Sequence, residues 1–266
     1  MCFERAGMTK PRRAPTLILG AMPSEVRPIT AQLADRRSGS LGCFTYEMGR
    51  LRGRRVVVAV TGVGVTNGAM AAALFVNAFG PTETIVTGTG SRFNPRIRTG
   101  DTVISTKTIH HAAGSLTDAG MIYRKVRGPR PGLMTSWAYK PDPALLRFAK
   151  DAIGSYEPEE IVVEGVRYRP AVLTGVVTAS DLFGVSAAKI EDMRAKLDPD
   201  IMEMESAAIA QVCHQLGTPH IVFRAGSNRT QVNPGADYRR LGRLAAAAAA
   251  RWTIHFVESL ALRDAA

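Results

Sequence analysis

The sequence predicts a single three-layer α/β/α domain, built on a central mixed and mostly parallel sheet. Strand-like and helix-like runs alternate along nearly the whole chain, which is typical of an α/β domain. The strand-like runs are short and apolar throughout, as expected for strands that helices cover on both faces. No shift in composition marks a linker. We therefore expect one domain over residues 16–262, after a disordered leader over residues 1–15.

Apolar periodicity and turn residues place the individual elements. The first strand leads through a short turn into a helix for which Ser24 is the expected N-cap. In chain order we expect strands at 16–19, 43–51, 54–60, 84–87, 101–106 and 171–178, a loop at 109–139, and helices at 25–33, 68–78, 143–153, 185–197 and 236–262. The strands at 43–51 and 54–60 should form a hairpin. A loop as long as 109–139 in a compact domain is usually a lid or a binding loop.

Composition and charge exclude several classes of protein. The net charge is +11, but the basic residues are scattered and no aromatic-rich basic strand accompanies them, so we expect no nucleic-acid partner. The three cysteines are widely spaced and no metal-binding motif is present, which indicates a reduced chain without metal or cofactor. No apolar run is long enough to span a membrane. These observations favour a cytoplasmic protein without a membrane partner.

The polar residues collect where the predicted strands end. In open α/β sheets, ligands bind at the carboxyl ends of the strands. Such tips occur at 20–25, 61–67, 88–91, 180–183 and 227–228. In the stretch 200–230, Glu203 and Glu205 flank Met204 at the start of an apolar helix, where free backbone N–H groups favour negative charge. Glu205 could equally be an ordinary residue at the start of that helix.

Other motifs have both structural and functional interpretations. The run from Gly62 nearly matches a dinucleotide-binding fingerprint, but it lacks the final glycine, which argues against an oxidoreductase. Ser180 and Asp181 could cap the following helix, and Phe183 could be core or could stack on a nucleobase. Thr89 lies in a turn that either serves chain geometry or holds a ligand. The pair at 110–111 is favoured as surface histidines.

Four motifs follow one another along the chain: ILGAMPSEV, VTGVGVTNGAMAAAL, IVTGTGSRFNPRIRTGDTVIS, and ASDLFG together with MEMESAAIAQVCHQLGTPHIVFRAGSN. In this order they resemble the motifs of the nucleoside phosphorylase and nucleosidase superfamily. They resemble most the 5′-methylthioadenosine/S-adenosylhomocysteine nucleosidases, over about residues 17–260. The resemblance implies a nucleoside phosphorylase-like fold, a small nucleoside as substrate and a homo-oligomer, expected to be a dimer.

The resemblance also implies residue roles. Glu25 matches the acid that activates the attacking water, and Glu205 matches the carboxylate that binds the ribose hydroxyls, so both are candidate catalytic residues. Phe183 stands at the base-stacking position. The remaining candidate substrate-binding residues are Gly88, Thr89, Glu203, Met204 and Ser227.

The chain departs from this family at Asn228, where relatives carry a base-protonating Asp. An amide cannot act as a general acid, but it can donate to a carbonyl and accept from a ring N–H. Asn228 therefore favours a 6-oxopurine or another non-adenine base. Because the entry turn supplies Glu25 and no arginine, hydrolysis is favoured over phosphorolysis, since water needs a base. The alternatives are a phosphate-dependent phosphorylase and a catalytically silent nucleoside-binding protein.

Overall fold

The computed structural model describes residues 14–129, 134–183, 186–229 and 234–265. The expected leader therefore lies almost entirely outside the described residues. The strands are β1 (Thr16–Gly20), β2 (Ala34–Leu41), β3 (Phe44–Leu51), β4 (Arg54–Val60), β5 (Glu83–Arg92), β6 (Thr102–His110), β7 (Gly114–Thr117), β8 (Gly120–Tyr123), β9 (Val126–Arg127), β10 (Met134–Thr135), β11 (Ala138–Tyr139), β12 (Ile161–Val163), β13 (Val166–Tyr168), β14 (Val172–Ala179), β15 (Ile201–Glu203) and β16 (His220–Arg229). The helices are α1 (Pro23–Thr30), α2 (Val65–Phe79), α3 (Pro143–Ala152), α4 (Ala187–Leu197), α5 (Ser206–Leu216) and α6 (Pro234–Ala265), with a 3₁₀ turn at Ile153–Ser155.

Ten of these strands form one sheet in the order β11-β6-β14-β15-β5-β1-β4-β3-β2, and β16 pairs with both β5 and β6. The strands β5, β15, β14, β6 and β16 therefore close into a ring at one end of the sheet. Within this ten-stranded sheet, five of the described pairings are parallel and five are antiparallel. The expected mixed sheet is confirmed, but parallel pairing does not predominate. Two of the antiparallel pairings have a local cause, because short turns join β2, β3 and β4, and strands joined so tightly can only run antiparallel.

Strand β5 changes its neighbour part of the way along its length. Residues 83–86 pair with β1, whereas Ser91 and Arg92 pair with β15. β16 runs along β5 from Thr84 to Arg92 and so takes up the other side of the strand. The backbone of residues 87–90 is thus left without a neighbouring strand on the side of β1, at the point where β1 ends and the chain turns into α1.

Apolar side chains pack on both faces of the sheet. Along β1, Ile18 points to one face and Leu17 and Leu19 point to the other, as the two-residue period of a strand requires. Ile18 lies in the cluster that contains Trp252 and residues of α1, α3 and α6. Leu17 and Leu19 pack with Phe75 and residues of α2 and α5. Helices therefore cover the sheet from both sides.

The predicted hairpin at residues 43–60 is confirmed as β3 and β4. Its two turn residues, Arg52 and Gly53, have φ of 50° and 83°, the left-handed pair that a tight hairpin turn needs. The expectation of an irregular loop at 109–139 was wrong in part, because the segment contains the hairpin β7–β8 and three shorter strands. Gly114 and Gly120, at φ of 148° and 99°, begin the two strands of that hairpin. Residues 130–133 of this loop lie outside the described residues.

No helix in the described part of the chain is long and apolar enough to cross a membrane.

Candidate active site

Glu25 lies at the start of α1, in the turn that follows β1. The helix begins at Pro23 with Met22 as its N-cap, so the expected N-cap, Ser24, lies inside the helix instead. The Glu25 carboxylate takes over the capping. Its Oε2 accepts hydrogen bonds from the backbone N–H groups of Ala21 at 2.8 Å and Met22 at 3.0 Å. These contacts fix the carboxylate against its own turn.

The other oxygen of Glu25 faces β5. Oε1 accepts from the backbone N–H of Thr89 at 2.7 Å and from the Thr89 hydroxyl at 2.9 Å. With the two contacts from its own turn, four donors surround the carboxylate, which fill its lone-pair positions. Burial raises the pKa of Glu25, and the nearby Arg224 guanidinium opposes that shift. Glu25 is therefore a buried carboxyl group that holds a proton more readily than an exposed one.

The Arg224 side chain, which projects from β16, is 1% exposed. Its Nη2 contacts Glu203 Oε2 at 2.5 Å and Glu205 Oε2 at 3.2 Å. Its Nε donates to the Ser206 hydroxyl at 3.0 Å, and Nη1 donates to the Thr89 carbonyl at 3.4 Å. A buried cation needs such pairing, because removal from water is costly. Arg224 thus joins both sequence-predicted acids of the helix start to the Thr89 strand.

The Glu203 and Glu205 carboxylates accept hydrogen bonds from different segments of the chain. Glu203, at the end of β15, accepts from the backbone N–H groups of Glu205 and Ser206 at 3.0 Å, the first free donors of α5. Glu205 Oε1 accepts from the backbone N–H of Gly64 at 2.9 Å. Burial, and then the neighbouring Glu203 carboxylate, raise the pKa of Glu205 to about 7. Three carboxyl groups therefore surround one guanidinium, and they cannot all be ionised without mutual repulsion.

The glycine turn before α2 completes the contact with Glu205. Gly64 has a φ of 106°, and a Cβ there would lie 2.8 Å from Asp181 Oδ1. The Asp181 carboxylate accepts from the backbone N–H of Val65 at 2.8 Å, so it caps α2. Ser180 and Asp181, the candidates for the N-cap of α4, do not cap it. The N-cap of α4 is Ser186, whose side chain accepts from the backbone N–H of Lys189. The glycine turn therefore supplies a backbone N–H, that of Gly64, to Glu205.

Close packing also requires a glycine at position 88. Gly88 has a φ of 153°, and a Cβ there would lie 2.6 Å from both Arg224 Nη1 and Glu25 Oε1. No side chain fits between these two charged groups. Gly88 therefore allows the β5 backbone to approach both of them, which positions Thr89 against Glu25.

Asn228 lies near the end of β16 and is 1% exposed. Its Nδ2 donates to the Ser91 hydroxyl at 2.7 Å and to the Arg229 carbonyl at 3.2 Å. Its Oδ1 accepts from the Ser227 hydroxyl at 3.0 Å, and that hydroxyl also lies 3.0 Å from the Gly90 carbonyl. The amide is thus fixed in orientation by the tips of β5 and β16.

Phe183 and Met204 lie at the margin of this cluster. Phe183 is 55% exposed, on the segment between β14 and α4, and Met204 is half-buried. The expectation of a surface pair at 110–111 was wrong for His111, which is fully buried with Nε2 2.6 Å from the Ser180 hydroxyl. Burial lowers the pKa of His111 to about 3, so its ring is neutral at pH 7.

Two residues that contact the site were missed in the sequence. Arg224 is a charged residue within the apolar run of residues 221–225, and this break in the pattern is a usable signal. Tyr238 of α6 has no such signal. Its hydroxyl lies 3.1 Å from Met22 Sδ and also interacts with the Thr89 side chain. Burial raises the pKa of Tyr238.

Within the ranges that the structure describes, no three His, Cys, Asp or Glu side chains are placed to hold a metal ion. The charged centre of the site is the guanidinium of Arg224.

Comparisons with known proteins identify the family of this chain. The family model for the phosphorylase superfamily matches residues 15–258. The 5′-methylthioadenosine/S-adenosylhomocysteine nucleosidase of Geobacillus thermodenitrificans is 33% identical over 79% of this chain and 82% of its own length. The crystal structure of the corresponding nucleosidase of Neisseria meningitidis, in complex with methylthio-immucillin-A, has a TM-score of 0.78 and 30% identity, and the match covers 92% of this chain and 99% of that one.

A more distant structure shares the fold alone. The futalosine hydrolase of Helicobacter pylori has a TM-score of 0.77 at 19% identity, over 92% of this chain and 98% of its own. The extent of the family match, together with the identity to the Geobacillus and Neisseria proteins, confirms the resemblance found in the sequence. The chain belongs to the phosphorylase superfamily, within its 5′-methylthioadenosine/S-adenosylhomocysteine nucleosidase branch, and is an N-glycosyl hydrolase.

Proposed function

We propose that this enzyme hydrolyses the N-ribosyl bond of a purine nucleoside, with Glu25 as the general base for the attacking water. The observation that supports this proposal best is the buried Glu25 carboxylate, which burial makes more basic and which lies beside the Arg224 cluster. A base whose pKa is raised toward the working pH is suited to proton transfer, which contributes about 10²–10⁴-fold to a rate.

The Thr89 hydroxyl is the donor that can give way to water. Three of the four donors to Glu25 are backbone N–H groups, whose direction the chain fixes. The Thr89 hydroxyl can rotate about its Cβ–Oγ1 bond. A water that enters here would donate to Glu25 Oε1 and accept from Thr89. This arrangement supports a role for Thr89 in water binding.

Glu205 fits the sugar side of the reaction. Cleavage of a glycosidic bond passes through an oxocarbenium-like state with positive charge on the sugar. An ionised Glu205, held by Gly64 and Arg224, would accept hydrogen bonds from the ribose hydroxyls and stabilise that charge. Glu203 keeps Arg224 neutralised while Glu205 acts.

Asn228 fits the base side. Its amide donates to Ser91 and to the Arg229 carbonyl and accepts from Ser227, so a base would meet a donor face by displacing the 3.2 Å Arg229 contact and an acceptor face at the free lone pair of Oδ1. A 6-oxopurine has a carbonyl and a ring N–H that match these two faces, whereas adenine has an amino group in place of the carbonyl. We infer a base other than adenine, with Phe183 as the residue that stacks on it. Asn228→Asp should move base release toward adenine nucleosides, and an unchanged preference would refute this inference.

Hydrolysis, rather than phosphorolysis, is supported by the state of Arg224. Its guanidinium is bound by two carboxylates and is not available to an attacking phosphate. The deciding experiment is base release by the purified protein from 5′-methylthioadenosine, S-adenosylhomocysteine, inosine and futalosine, with and without phosphate. Release that depends on phosphate would refute hydrolysis.

The role of Glu25 has its own test. Glu25→Gln keeps the size of the side chain but removes the base, so kcat should fall by about 10²–10⁴-fold. Glu157→Gln, which changes an exposed glutamate, is the matched control. Wild-type kcat in Glu25→Gln would rule out the assignment. Size-exclusion chromatography with light scattering would test the dimer that the resemblance implies.

A further inference from the structure

We propose that the Ser91 hydroxyl donates a hydrogen bond to N7 of the departing 6-oxopurine, next to an Asn228 amide that binds N1–H and O6. The proposal rests on the proposed function and deepens it, since it names a further residue that contacts the base. It gives Ser91 the stabilisation of the leaving base, for which the amide of Asn228 has no acidic proton.

A register shift of one residue brings Ser91 and Asn228 side by side. Near the strand tips, β16 advances three residues, from Gly226 to Arg229, where β5 advances two. Ser227 and Asn228 therefore both lie opposite Ser91. An extra residue of this kind re-aims a side chain, and such irregularities are common next to active sites. Here it places the Asn228 amide 2.7 Å from the Ser91 hydroxyl.

The hydrogen bonds of Asn228 leave the Ser91 proton available to a ligand. Nδ2 of Asn228 donates to Ser91 Oγ and, at 3.2 Å, to the Arg229 carbonyl. Because that carbonyl can only accept, it fixes which end of the amide carries the N–H groups. Ser91 Oγ thus receives a hydrogen bond, and no residue in the described ranges accepts its own proton. A hydroxyl that accepts one hydrogen bond is polarised toward donating another.

The order of these groups matches the order of groups along one edge of a 6-oxopurine. The protein presents Asn228 Oδ1, then Asn228 Nδ2, then the Ser91 hydroxyl, which is one acceptor followed by two donors. The purine presents N1–H, then O6, then N7, which is one donor followed by two acceptors. When O6 takes the place of the Arg229 carbonyl on Nδ2, Ser91 is the group beside N7. Adenine reverses the first two groups and would match only the Ser91 end.

Ser91 also continues the face of β5 that carries the proposed water site. Alternate residues of a strand project from the same face, and two residues span about 7 Å. Thr89 contacts Glu25 on the water side, so Ser91 follows one step further along that face. Ser91 and Asn228 are both buried, so water competes little for a hydrogen bond formed there. Two side chains of one strand therefore serve opposite sides of the bond that breaks.

The reaction balances with Ser91 as a hydrogen-bond donor rather than an acid. The C1′–N9 bond breaks and its electron pair goes to the purine, while the water oxygen bonds to C1′ and Glu25 takes a proton from that water. Negative charge on the purine spreads to N7, where the Ser91 hydroxyl stabilises it. The Ser91 proton stays on its oxygen. The purine anion takes a proton from solvent as it leaves, and Glu25 returns its proton to solvent.

Methylated nucleosides separate the N7 contact from the N1 contact. 7-Methylinosine has no lone pair at N7, and its base leaves without a donor there, whereas 1-methylinosine keeps N7 and loses N1–H. Ser91→Ala should lower kcat/KM for inosine and for 1-methylinosine by about 10–100-fold, the usual range for a hydrogen bond to a charged group. It should not lower kcat/KM for 7-methylinosine. A merely structural role of Ser91 would lower all three alike.

Two further variants control for effects on the fold. Ser91→Thr keeps the hydroxyl and suits a strand, so it should restore most of the turnover of inosine. Ser105→Ala removes another buried hydroxyl of the same sheet, one that lies 2.9 Å from the Thr108 hydroxyl on β6. This control should leave the ratio of kcat/KM for inosine to that for 7-methylinosine unchanged.

Calorimetry with free bases gives a readout that needs no turnover. 7-Deazahypoxanthine has a C–H group in place of N7 and otherwise matches hypoxanthine. The wild type should bind hypoxanthine at least about tenfold more tightly than 7-deazahypoxanthine, by the same hydrogen bond. Ser91→Ala should bind the two bases alike.

Three results would overturn the proposal. The first is an equal loss of kcat/KM for inosine and 7-methylinosine in Ser91→Ala. The second is an unchanged kcat/KM for inosine in that variant. The third is a wild-type protein that binds the two free bases equally or binds neither. Absence of base release from every nucleoside would refute the proposed function alone, because the affinities for the two bases would still decide whether Ser91 binds N7.

Discussion

Replacing Glu205 by Gln removes one of the three carboxyl groups around Arg224 and keeps the size of the side chain. In the wild type, burial and the Glu203 carboxylate raise the pKa of Glu205 from 4.5 to about 7. The folded protein therefore keeps a proton over a pH range in which the unfolded chain has lost it. The stability that this proton provides is fully present below pH 4.5 and is lost as the pH rises through about 7.

The size of the effect follows from these two pKa values. Between pH 5 and pH 8, the titration of Glu205 should lower the wild-type free energy of unfolding by about 2–3 kcal/mol. Gln does not titrate. The difference in free energy of unfolding between Glu205→Gln and the wild type should therefore shift by that amount in favour of the variant from pH 5 to pH 8. The other groups titrate in both proteins, so their contributions cancel from this difference.

Urea denaturation followed by circular dichroism at pH 5, 6, 7 and 8 measures this difference. Glu157→Gln provides the control, because this glutamate is exposed and its replacement should give a difference that is flat with pH. A difference for Glu205→Gln that varies by less than about 0.5 kcal/mol would refute the raised pKa. The same variant should lose turnover at every pH, and wild-type rates would refute the assignment of Glu205 to the site.

Other predictions concern the pH–rate profile, the buried cation and the glycine turn. The proposed mechanism needs ionised Glu205, whose pKa is raised to about 7. The value of kcat/KM should therefore rise with pH up to about 7. A profile that is flat from pH 5 to 8 would contradict this. Arg224→Gln should cost about 3–5 kcal/mol of stability in urea denaturation at pH 8, and less at pH 5, because it leaves carboxylates without a partner. Gly64→Ala should destabilise the protein by about 1–3 kcal/mol more than Gly53→Ala. Both positions have a positive φ, but only a Cβ at position 64 would crowd Asp181. Equal losses of stability would contradict this.

The sequence located much of the site because polar residues at strand ends meet at one edge of a sheet. Glu25 and Thr89 were found in this way, Glu203 and Glu205 were found at the start of a predicted helix, and the family resemblance implied their roles. The structure joins these four residues in one hydrogen-bonded cluster through Arg224. No local pattern shows which cation will lie between two distant carboxylates, so Arg224 was not identified.

Long-range pairing was the other feature that local patterns do not specify. The ring closes because β16 pairs with β5 on one side and with β6 on the other, and these contacts join residues more than 100 positions apart. Tyr238 reaches Thr89 only because α6 packs against α1, β5 and β16, and nothing near position 238 in the sequence indicates this. Solvent exposure of Phe183 likewise depends on the packing of neighbouring segments.

The change of neighbour along β5 makes the Glu25 carboxylate a substitute for a missing strand. The Thr89 N–H lies in the stretch where β1 has ended and β15 has not begun, and Glu25 Oε1 accepts the hydrogen bond that a strand carbonyl would otherwise accept. The proposed base therefore also maintains the continuity of the sheet. Backbone amide exchange at Thr89 would then report on the state of this carboxylate, and each proton that Glu25 takes up during turnover would loosen the strand to which it is bound.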